Sequence, residues 1–208
     1  MKYIYVIINK KNYLSICMAD QFKEALRQTY RLIRKNLPHA YKQAAAKKIC
    51  TQIRALKEYR YAKRIALYHA IHGEVNLNSL WKSAPLQGKY CYFPILREDL
   101  SLLFLPATPA THFYENRYGI QEPHGSLDEV LRPDELDIIF MPLVAFDERG
   151  TRLGMGAGYY DRTLAKYKAR LLIGVAYDFQ RLPFIEAQPW DVPLSAIITD
   201  RTIYWSKI

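Results

Sequence analysis

The stretch DIIFMPLVAFDERGTRLGMGAGYYD, residues 137–161, decides the architecture of this chain. It begins with a continuous apolar run over residues 138–146, which is typical of a strand buried on both faces of a parallel sheet. After a polar turn come Arg152 and closely spaced glycines, which occupy positions 154, 156 and 158. Because glycine lets the backbone approach an anion closely, we expect the strand to lead into a phosphate-binding loop.

The spacing of these glycines fits neither of two common phosphate-binding motifs. The P-loop requires GxxxxGK followed by Ser or Thr, and the dinucleotide fingerprint requires GxGxxG, whereas this loop reads GxGxG. On composition alone, a tight surface connection that binds nothing is the alternative interpretation.

Length and composition indicate an ordinary globular protein. The chain has 208 residues, of which 50% are hydrophobic and 24% charged, enough for one well-buried domain. The net charge is +10, and residues 23–64 contain thirteen Lys or Arg against two Glu. This excess suits nucleic acid, membrane phosphates or a small polyanion, and equally the solvated faces of amphipathic helices.

The cysteines and the amino terminus carry little functional signal. Cys17, Cys50 and Cys91 stand far apart without a CxxC motif, which argues against a zinc site or a disulfide framework and favours a reducing compartment. The apolar run over residues 3–8 is too short for a signal peptide or a membrane span. We expect residues 1–17 to be an extension of uncertain status and residues 18–208 to form a single domain.

Helical and strand patterns alternate along the chain. Helices are predicted over residues 21–36, 39–58, 76–83 and 160–168, and strands over residues 64–68, 89–95, 101–105, 138–146, 171–177, 196–199 and 202–205. The first helix is expected to turn five apolar side chains inward, namely Phe22, Leu26, Tyr30, Ile33 and Leu37. The alternation predicts an α/β fold: a single layered domain with a mostly parallel central sheet flanked by helices, and an N-terminal helical pair. Residues 106–131 are predicted to be irregular and to lie over a site.

Five elements in order give the sequence a specific resemblance. The longest is PLVAFDERGTRLGMGAGYYDR, residues 142–162, and the others are Lys23-x-x-Leu26-Arg27, Glu74-Val75, Tyr118-Gly119-Ile120-x-Glu122-Pro123 and PWDVPL at residues 189–194. From about Lys23 to its end, the chain resembles the 5-formyltetrahydrofolate cyclo-ligase family, also called 5,10-methenyltetrahydrofolate synthetase. One departure is Ala157, where bacterial members usually carry a further glycine.

The resemblance implies an ATP-dependent ligase that cyclises 5-formyltetrahydrofolate to 5,10-methenyltetrahydrofolate and releases ADP and phosphate. It implies phosphorylation of the formyl oxygen followed by attack of N10, with Mg²⁺ accompanying ATP. The expected partners are reduced folate and ATP, without nucleic acid or membrane, for a monomer in the cytoplasm. A non-catalytic folate-binding paralogue and a basic RNA-binding protein are the alternatives.

The resemblance also implies the residues of the site. Those expected to bind ATP are Lys23, Arg27, Arg152, Leu153, Gly154, Met155, Gly156, Ala157, Gly158, Tyr159 and Tyr160. Those expected to bind the folate are Glu74, Tyr118, Glu122, Gly156, Gly158, Tyr159 and Tyr160. Arg152 and Asp161 are the expected catalytic residues, and Asp161 and Asp191 the expected Mg²⁺ ligands. Without the resemblance, the residues favour Asp161 as a first-turn helix carboxylate, Asp191 as a carboxylate in a Pro-rich turn and Glu74 as an exposed loop residue.

Overall fold

The computed structural model describes residues 20–206, which build a seven-stranded sheet with helices on both faces. The helices are α1 over residues 20–36, α2 (His39–Ala55), α3 (Lys57–Tyr61), α4 (Asn78–Ser83) and α5 (Tyr159–Lys166). The strands are β1 (Arg64–Ala66), β2 (Tyr90–Leu96), β3 (Leu102–Pro106), β4 (Phe113–Glu115), β5 (Gln121–Pro123), β6 (Ile138–Pro142), β7 (Ala145–Phe146), β8 (Arg152–Leu153), β9 (Leu172–Val175), β10 (Ala196–Ile198) and β11 (Ile203–Trp205). Short 3₁₀ turns lie at Pro85–Gln87, Leu127–Glu129, Pro133–Glu135 and Asp178–Gln180.

The predicted α/β architecture is confirmed. The strand order is β11-β10-β9-β6-β1-β2-β3, and the five inner strands run parallel, whereas β3 and β11 pair antiparallel at the two edges. The strands that follow β1 in the sequence, β2 and β3, lie on one side of it. Strand β6 lies on the other side of β1. The order therefore reverses between β1 and β6, and in folds of this class ligands bind beyond the carboxyl ends of the strands at such a point.

Strand β6 lies at the centre of the sheet and is buried on both faces. Ile138 and Phe140 pack with α2 and α4 on one face, whereas Ile139 and Met141 pack with α5 on the other. Side chains alternate between faces along a strand, so a continuous apolar run is what a doubly covered strand requires. The sequence prediction of a central buried strand is correct for this part of the run.

The predicted strand over residues 138–146 is too long. Pro142 ends β6 because it has no N–H with which to continue the ladder. The Val144 N–H instead donates to the Leu153 carbonyl at 2.7 Å, and the chain continues as β7, which pairs with β8 in a separate hairpin. Apolar periodicity does not reveal this change of partner, because both halves of the run are buried.

The first helix docks on a face that overlaps the predicted one and includes Leu37. Leu26 and Tyr30 do pack inward, but Phe22 is 64% exposed and Ile33 is 41% exposed. Arg34, which is not among the residues predicted to face inward, is 1% exposed. The helix is rotated toward its basic side because Arg34 has partners on the sheet, described below.

Other boundaries differ modestly from the prediction. The second predicted helix breaks at Leu56, whose extended backbone separates α2 from α3. Residues 106–131 are not wholly irregular, since they contain the β4–β5 hairpin. Among the helices of residues 20–206, none has the length and apolar content needed to cross a bilayer. The expected extension, residues 1–17, lies outside the described part of the chain.

Candidate active site

The glycine loop, residues 154–158, connects β8 to the start of α5. Gly156 has φ +100° and Gly158 has φ +71°, a region that favours glycine. Gly158 caps α5, and its carbonyl accepts the first intrahelical bond, from the Arg162 N–H at 3.0 Å. The loop therefore ends at a helix amino terminus, where free N–H groups and the helix dipole favour an anion.

Helix α1 brings a cation to this loop. The Arg27 Nε donates to the Gly154 carbonyl at 3.0 Å, and its guanidinium carbon lies 3.4 Å from where a Cβ on Gly156 would stand. Lys23 is partly buried one turn earlier on the same helix. The structure thus brings together two regions that are separated by more than a hundred residues in the sequence.

Arg152 and Asp161 form an ion pair beside the loop. Arg152 Nη2 lies 2.5 Å from Asp161 Oδ1, and Arg152 Nη1 donates to the Val192 carbonyl. The Val192 N–H also donates to Asp161 Oδ1, at 3.3 Å. Asp191, the neighbour of Val192 in the chain, accepts from the Gln188 N–H at 2.8 Å. The predicted catalytic pair is in contact, and the segment that carries Asp191 lies against it.

Within residues 20–206, no three His, Cys, Asp or Glu side chains are grouped so that they could hold a metal ion by themselves. Cys50 and Cys91 are buried free thiols, and burial raises the pKa of Cys91 to about 12. Cys17 lies outside the described residues.

The β4–β5 hairpin contacts the start of α5 through two tyrosines. The Tyr118 and Tyr159 hydroxyls lie 3.3 Å apart, and the two rings meet edge to face. Arg117 Nη2 also donates to the Tyr159 hydroxyl, at 3.0 Å. Hydrogen bonds with Tyr118 and Arg117 lower the pKa of the Tyr159 hydroxyl. The predicted folate residues Tyr118 and Tyr159 are thus neighbours.

Glu74 lies in the loop between β1 and α4, and its side chain is only 4% exposed. Its Oε2 accepts from the Ile71 N–H at 3.1 Å, and its Oε1 lies 4.0 Å from Arg34 Nη1. Burial raises the pKa of Glu74 to about 7, against the opposing effects of the Ile71 N–H and Arg34. Burial, with a smaller effect from Glu74, also raises the pKa of Tyr160. The alternative interpretation of Glu74 as an exposed loop residue is therefore wrong.

Glu122 is engaged differently from the other predicted folate residues. Its Oε1 accepts from the Leu96 N–H at 3.0 Å and from Asn116 Nδ2 at 2.6 Å, and its Oε2 accepts from the Tyr114 hydroxyl at 2.9 Å. The bond from Leu96 ties the hairpin that carries Tyr118 to β2, and the other two bonds lie within that hairpin. Its carboxylate is thus committed to protein donors, and folate binding by Glu122 stays a prediction.

Sequence reasoning missed Arg34 and Arg117. Arg34 follows Arg27 by seven residues, two helical turns, and that spacing was the available signal that both share one face. Arg117 is adjacent to the predicted Tyr118 but lies in a loop, where no periodicity marks it. Both contact residues that the sequence did identify.

Comparisons with known proteins identify the family of this chain. A sequence profile of the 5-formyltetrahydrofolate cyclo-ligase family matches residues 19–200. The 5-formyltetrahydrofolate cyclo-ligase of Haemophilus influenzae is 40% identical over 185 residues, which cover 87% of this chain and 99% of that protein. The Escherichia coli K12 protein of the same name is 37% identical over 148 residues, covering 69% of this chain and 81% of the relative.

Solved structures agree with the observed fold. The NMR structure of Aquifex aeolicus 5,10-methenyltetrahydrofolate synthetase has a TM-score of 0.78 at 32% identity, and the match covers 89% of this chain and 93% of that one. The Mycoplasma pneumoniae 5,10-methenyltetrahydrofolate synthetase has a TM-score of 0.69 at 30% identity, covering 86% and 98%. This chain belongs to the 5-formyltetrahydrofolate cyclo-ligase family.

Proposed function

We propose that this protein catalyses the ATP-dependent cyclisation of 5-formyltetrahydrofolate to 5,10-methenyltetrahydrofolate, with release of ADP and phosphate. The observation that carries the proposal is the glycine loop at the start of α5, met by Arg27 from α1 and flanked by the Arg152–Asp161 pair. Family membership and the names of the relatives support the same reaction.

The chemistry explains why ATP is needed. The N5-formyl carbonyl is amide-like, so its carbon is a weak electrophile and its oxygen a poor leaving group. Transfer of the γ-phosphoryl group to the formyl oxygen breaks the bond to ADP and turns that oxygen into a phosphate ester. N10 then attacks the formyl carbon, the C–O bond breaks with its electron pair leaving on phosphate, and N10 loses its proton.

Phosphoryl transfer depends mainly on positioning and on neutralising charge, and the proposed residues divide these roles. The loop residues 152–160 wrap the phosphates with their backbone N–H groups. Arg27, Lys23 and Arg152 supply positive charge, and the planar guanidinium of an arginine suits phosphate oxygens. Asp161 holds Arg152 in place through their ion pair.

Asp161 and Asp191 are the proposed Mg²⁺ ligands. Magnesium in such sites takes one or two carboxylates and completes its coordination with phosphate oxygens and water, so two aspartates fit the ion. The proposal is supported by the hydrogen bond from the Val192 N–H to Asp161 Oδ1, which keeps the segment that carries Asp191 next to the start of α5. When bound with ATP, the ion would supply further neutralisation of phosphate charge.

On the folate side, we assign the pterin to the crevice beyond β1 and β6. A carboxylate at Glu74 can accept hydrogen bonds from the donor edge of the pterin. Tyr159 and Tyr160 border the loop, and Tyr118 extends this aromatic surface from the hairpin. We assign Glu122 the role of holding in place the hairpin that carries Tyr118.

We also propose that the protein acts as a monomer in the cytoplasm, on reduced folate and ATP rather than on nucleic acid or membranes. The buried free thiols of Cys50 and Cys91 support a reducing compartment. Size-exclusion chromatography with light scattering would test the oligomeric state.

One assay tests the proposed reaction. The protein is mixed with 5-formyltetrahydrofolate and Mg-ATP, and the absorbance of the methenyl product is followed, with reactions lacking ATP or Mg²⁺ as controls. We expect product only in the complete mixture. A complete mixture that yields no product at high protein concentration would refute the reaction, and binding of folate alone would then favour a non-catalytic folate-binding protein.

A further inference from the structure

Arg34 is a fully buried cation next to the crevice. It lies on the inner face of α1, and its side chain is 1% exposed. A buried charge is costly unless it is paired and hydrogen-bonded, so its partners indicate what it is there to do. Its Nη1 donates to the Leu143 carbonyl at 3.0 Å, directly after the end of β6. The same nitrogen lies 4.0 Å from Glu74 Oε1, which follows β1.

Arg34 therefore spans the point where the strand order reverses. Strands β1 and β6 are hydrogen-bonded neighbours, with Ile65 opposite Ile138 and Ala66 opposite Ile139. The chains that leave their carboxyl ends diverge from each other, and one guanidinium contacts both. In this fold class, ligands bind in the crevice outside these strand ends.

The backbone fixes how Glu74 meets Arg34. His72 and Gly73 have φ of +49° and +76°, so the chain turns sharply just before Glu74. A Cβ on Gly73 would stand 2.6 Å from the Arg34 carbonyl oxygen, so this turn is pressed against α1. The Ile71 N–H holds Oε2 while Arg34 faces Oε1. The carboxylate is thus held at both oxygens.

Among the described residues, Arg34 is the cationic partner of Glu74, because the other titratable groups around this carboxylate favour their neutral forms. Tyr68, Tyr160 and Tyr177 face the carboxylate from the ends of β1, α5 and β9, and burial raises the pKa of each of these hydroxyls. They are therefore neutral near pH ~7. The nearby imidazole of His72 has a pKa lowered by burial and by Arg31 and Arg34, so it too favours the neutral form.

We propose that Arg34 is a positioning residue for folate recognition, which fixes the orientation of the Glu74 carboxylate and favours its ionised form over the protonated one, so that it can accept the pterin N–H donors. The inference rests on the proposed function, because it takes the pterin to be the ligand of Glu74. Arg34 itself does not touch the substrate. Its two other buried nitrogens, Nε and Nη2, have no hydrogen-bond partner within residues 20–206, so the contacts of Nη1 offset only part of the cost of burying its charge.

Four variants test this role: Arg34→Met, Arg34→Lys, Glu74→Gln and the double variant Arg34→Met with Glu74→Gln. Arg31→Met is the matched control, because it removes the same charge from the same helix, three residues earlier. The dissociation constants of 5-formyltetrahydrofolate and of Mg-ATP are measured separately by calorimetry, so that no turnover is required.

We expect Arg34→Met to weaken folate binding by about tenfold or more and Mg-ATP binding by less than about twofold. Arg34→Lys should recover part of the folate affinity because it keeps the charge. The double variant should bind folate no more weakly than Glu74→Gln alone, since a residue that acts through Glu74 adds nothing once the carboxylate is gone. Arg31→Met should leave the folate dissociation constant within about twofold of the wild type.

Additive losses in the double variant, or equal losses of folate and Mg-ATP affinity, would overturn the proposal. If Arg34→Met does not fold, Arg34→Lys decides through the pH dependence of folate binding. Without the guanidinium, the Glu74 carboxylate should take up its proton at higher pH, so Arg34→Lys should lose folate affinity at a higher pH than the wild type does. An unchanged pH profile of folate binding would overturn the proposed role of Arg34. A wild type that binds folate but forms no methenyl product would refute the proposed reaction and leave these affinity comparisons valid.

Discussion

Arg152 and Asp161 lie nine residues apart in sequence and are joined by a 2.5 Å contact between Nη2 and Oδ1. Arg152 also donates to the Val192 carbonyl, so one guanidinium connects β8, α5 and the segment that carries Asp191. The guanidinium of an arginine binds phosphate oxygens, whereas the carboxylate of an aspartate binds metal cations. Their pairing therefore places an anion-binding group and a cation-binding group at adjacent points beside the glycine loop.

This pairing predicts the behaviour of Asp161→Asn. Loss of the carboxylate removes a proposed Mg²⁺ ligand and breaks the ion pair that holds Arg152. Turnover should therefore fall by about a hundredfold or more. Folate affinity should stay near that of the wild type. Steady-state rates across a Mg²⁺ titration, together with folate binding, check this. Asp128→Asn, at an exposed position on the Leu127–Glu129 turn, is the control. Full activity of Asp161→Asn would contradict its metal role.

The glycine loop predicts unequal effects of two alanine substitutions on stability. Gly156 has φ +100° and faces the Arg27 guanidinium, so Gly156→Ala should lower the free energy of unfolding by about 1–2 kcal/mol. Gly154 has no atom within 4 Å of an added Cβ and no left-handed φ, so Gly154→Ala should change it by less than about 0.5 kcal/mol. Urea denaturation measures both, and equal effects would argue against the strained loop geometry.

The three hydrogen bonds to Glu122 predict a structural phenotype. Glu122→Gln replaces an acceptor oxygen with an NH₂ group that faces donors, and should lower the free energy of unfolding by about 1–3 kcal/mol. Glu115→Gln, an exposed change on the same hairpin, should stay within about 0.5 kcal/mol of the wild type. Unchanged stability of Glu122→Gln with lost folate affinity would instead favour direct substrate contact.

The burial of Glu74 predicts a pH dependence of stability. Its pKa rises from the ordinary 4.5 to about 7 in the folded protein, mainly through burial. The folded state therefore holds this proton more tightly than the unfolded state, and stability is lost as pH rises from 4.5 to about 7. At about 1.4 kcal/mol per pKa unit, the loss is about 3 kcal/mol.

Glu74→Gln should lack this slope. The difference in free energy of unfolding between wild type and Glu74→Gln should fall by about 3 kcal/mol across that window and be flat on either side of it. Chemical denaturation at a series of pH values provides the measurement. Parallel pH profiles of the two proteins would mean that Glu74 titrates normally.

The fold class and the residue types of the glycine loop follow from local patterns in the sequence. Apolar runs and helical periods are local consequences of burial, so they identified the alternating strands and helices and the central strand β6. The glycine spacing and the adjacent Arg152 and Asp161 are also local, because residues 152–161 supply a loop, a helix start and an ion pair within one short stretch.

The contacts between groups that are distant in the sequence follow from the tertiary structure. Periodicity gave α1 an apolar inner face, but the helix is rotated so that Arg34 is buried against Leu143 and Glu74, because those partners offset part of the cost of burying its charge. Likewise, Pro142 ends β6 inside an unbroken apolar run because the partner of the chain changes there from the sheet to β8. A pattern along the chain records that a residue is buried, whereas its pairing depends on groups brought together by folding.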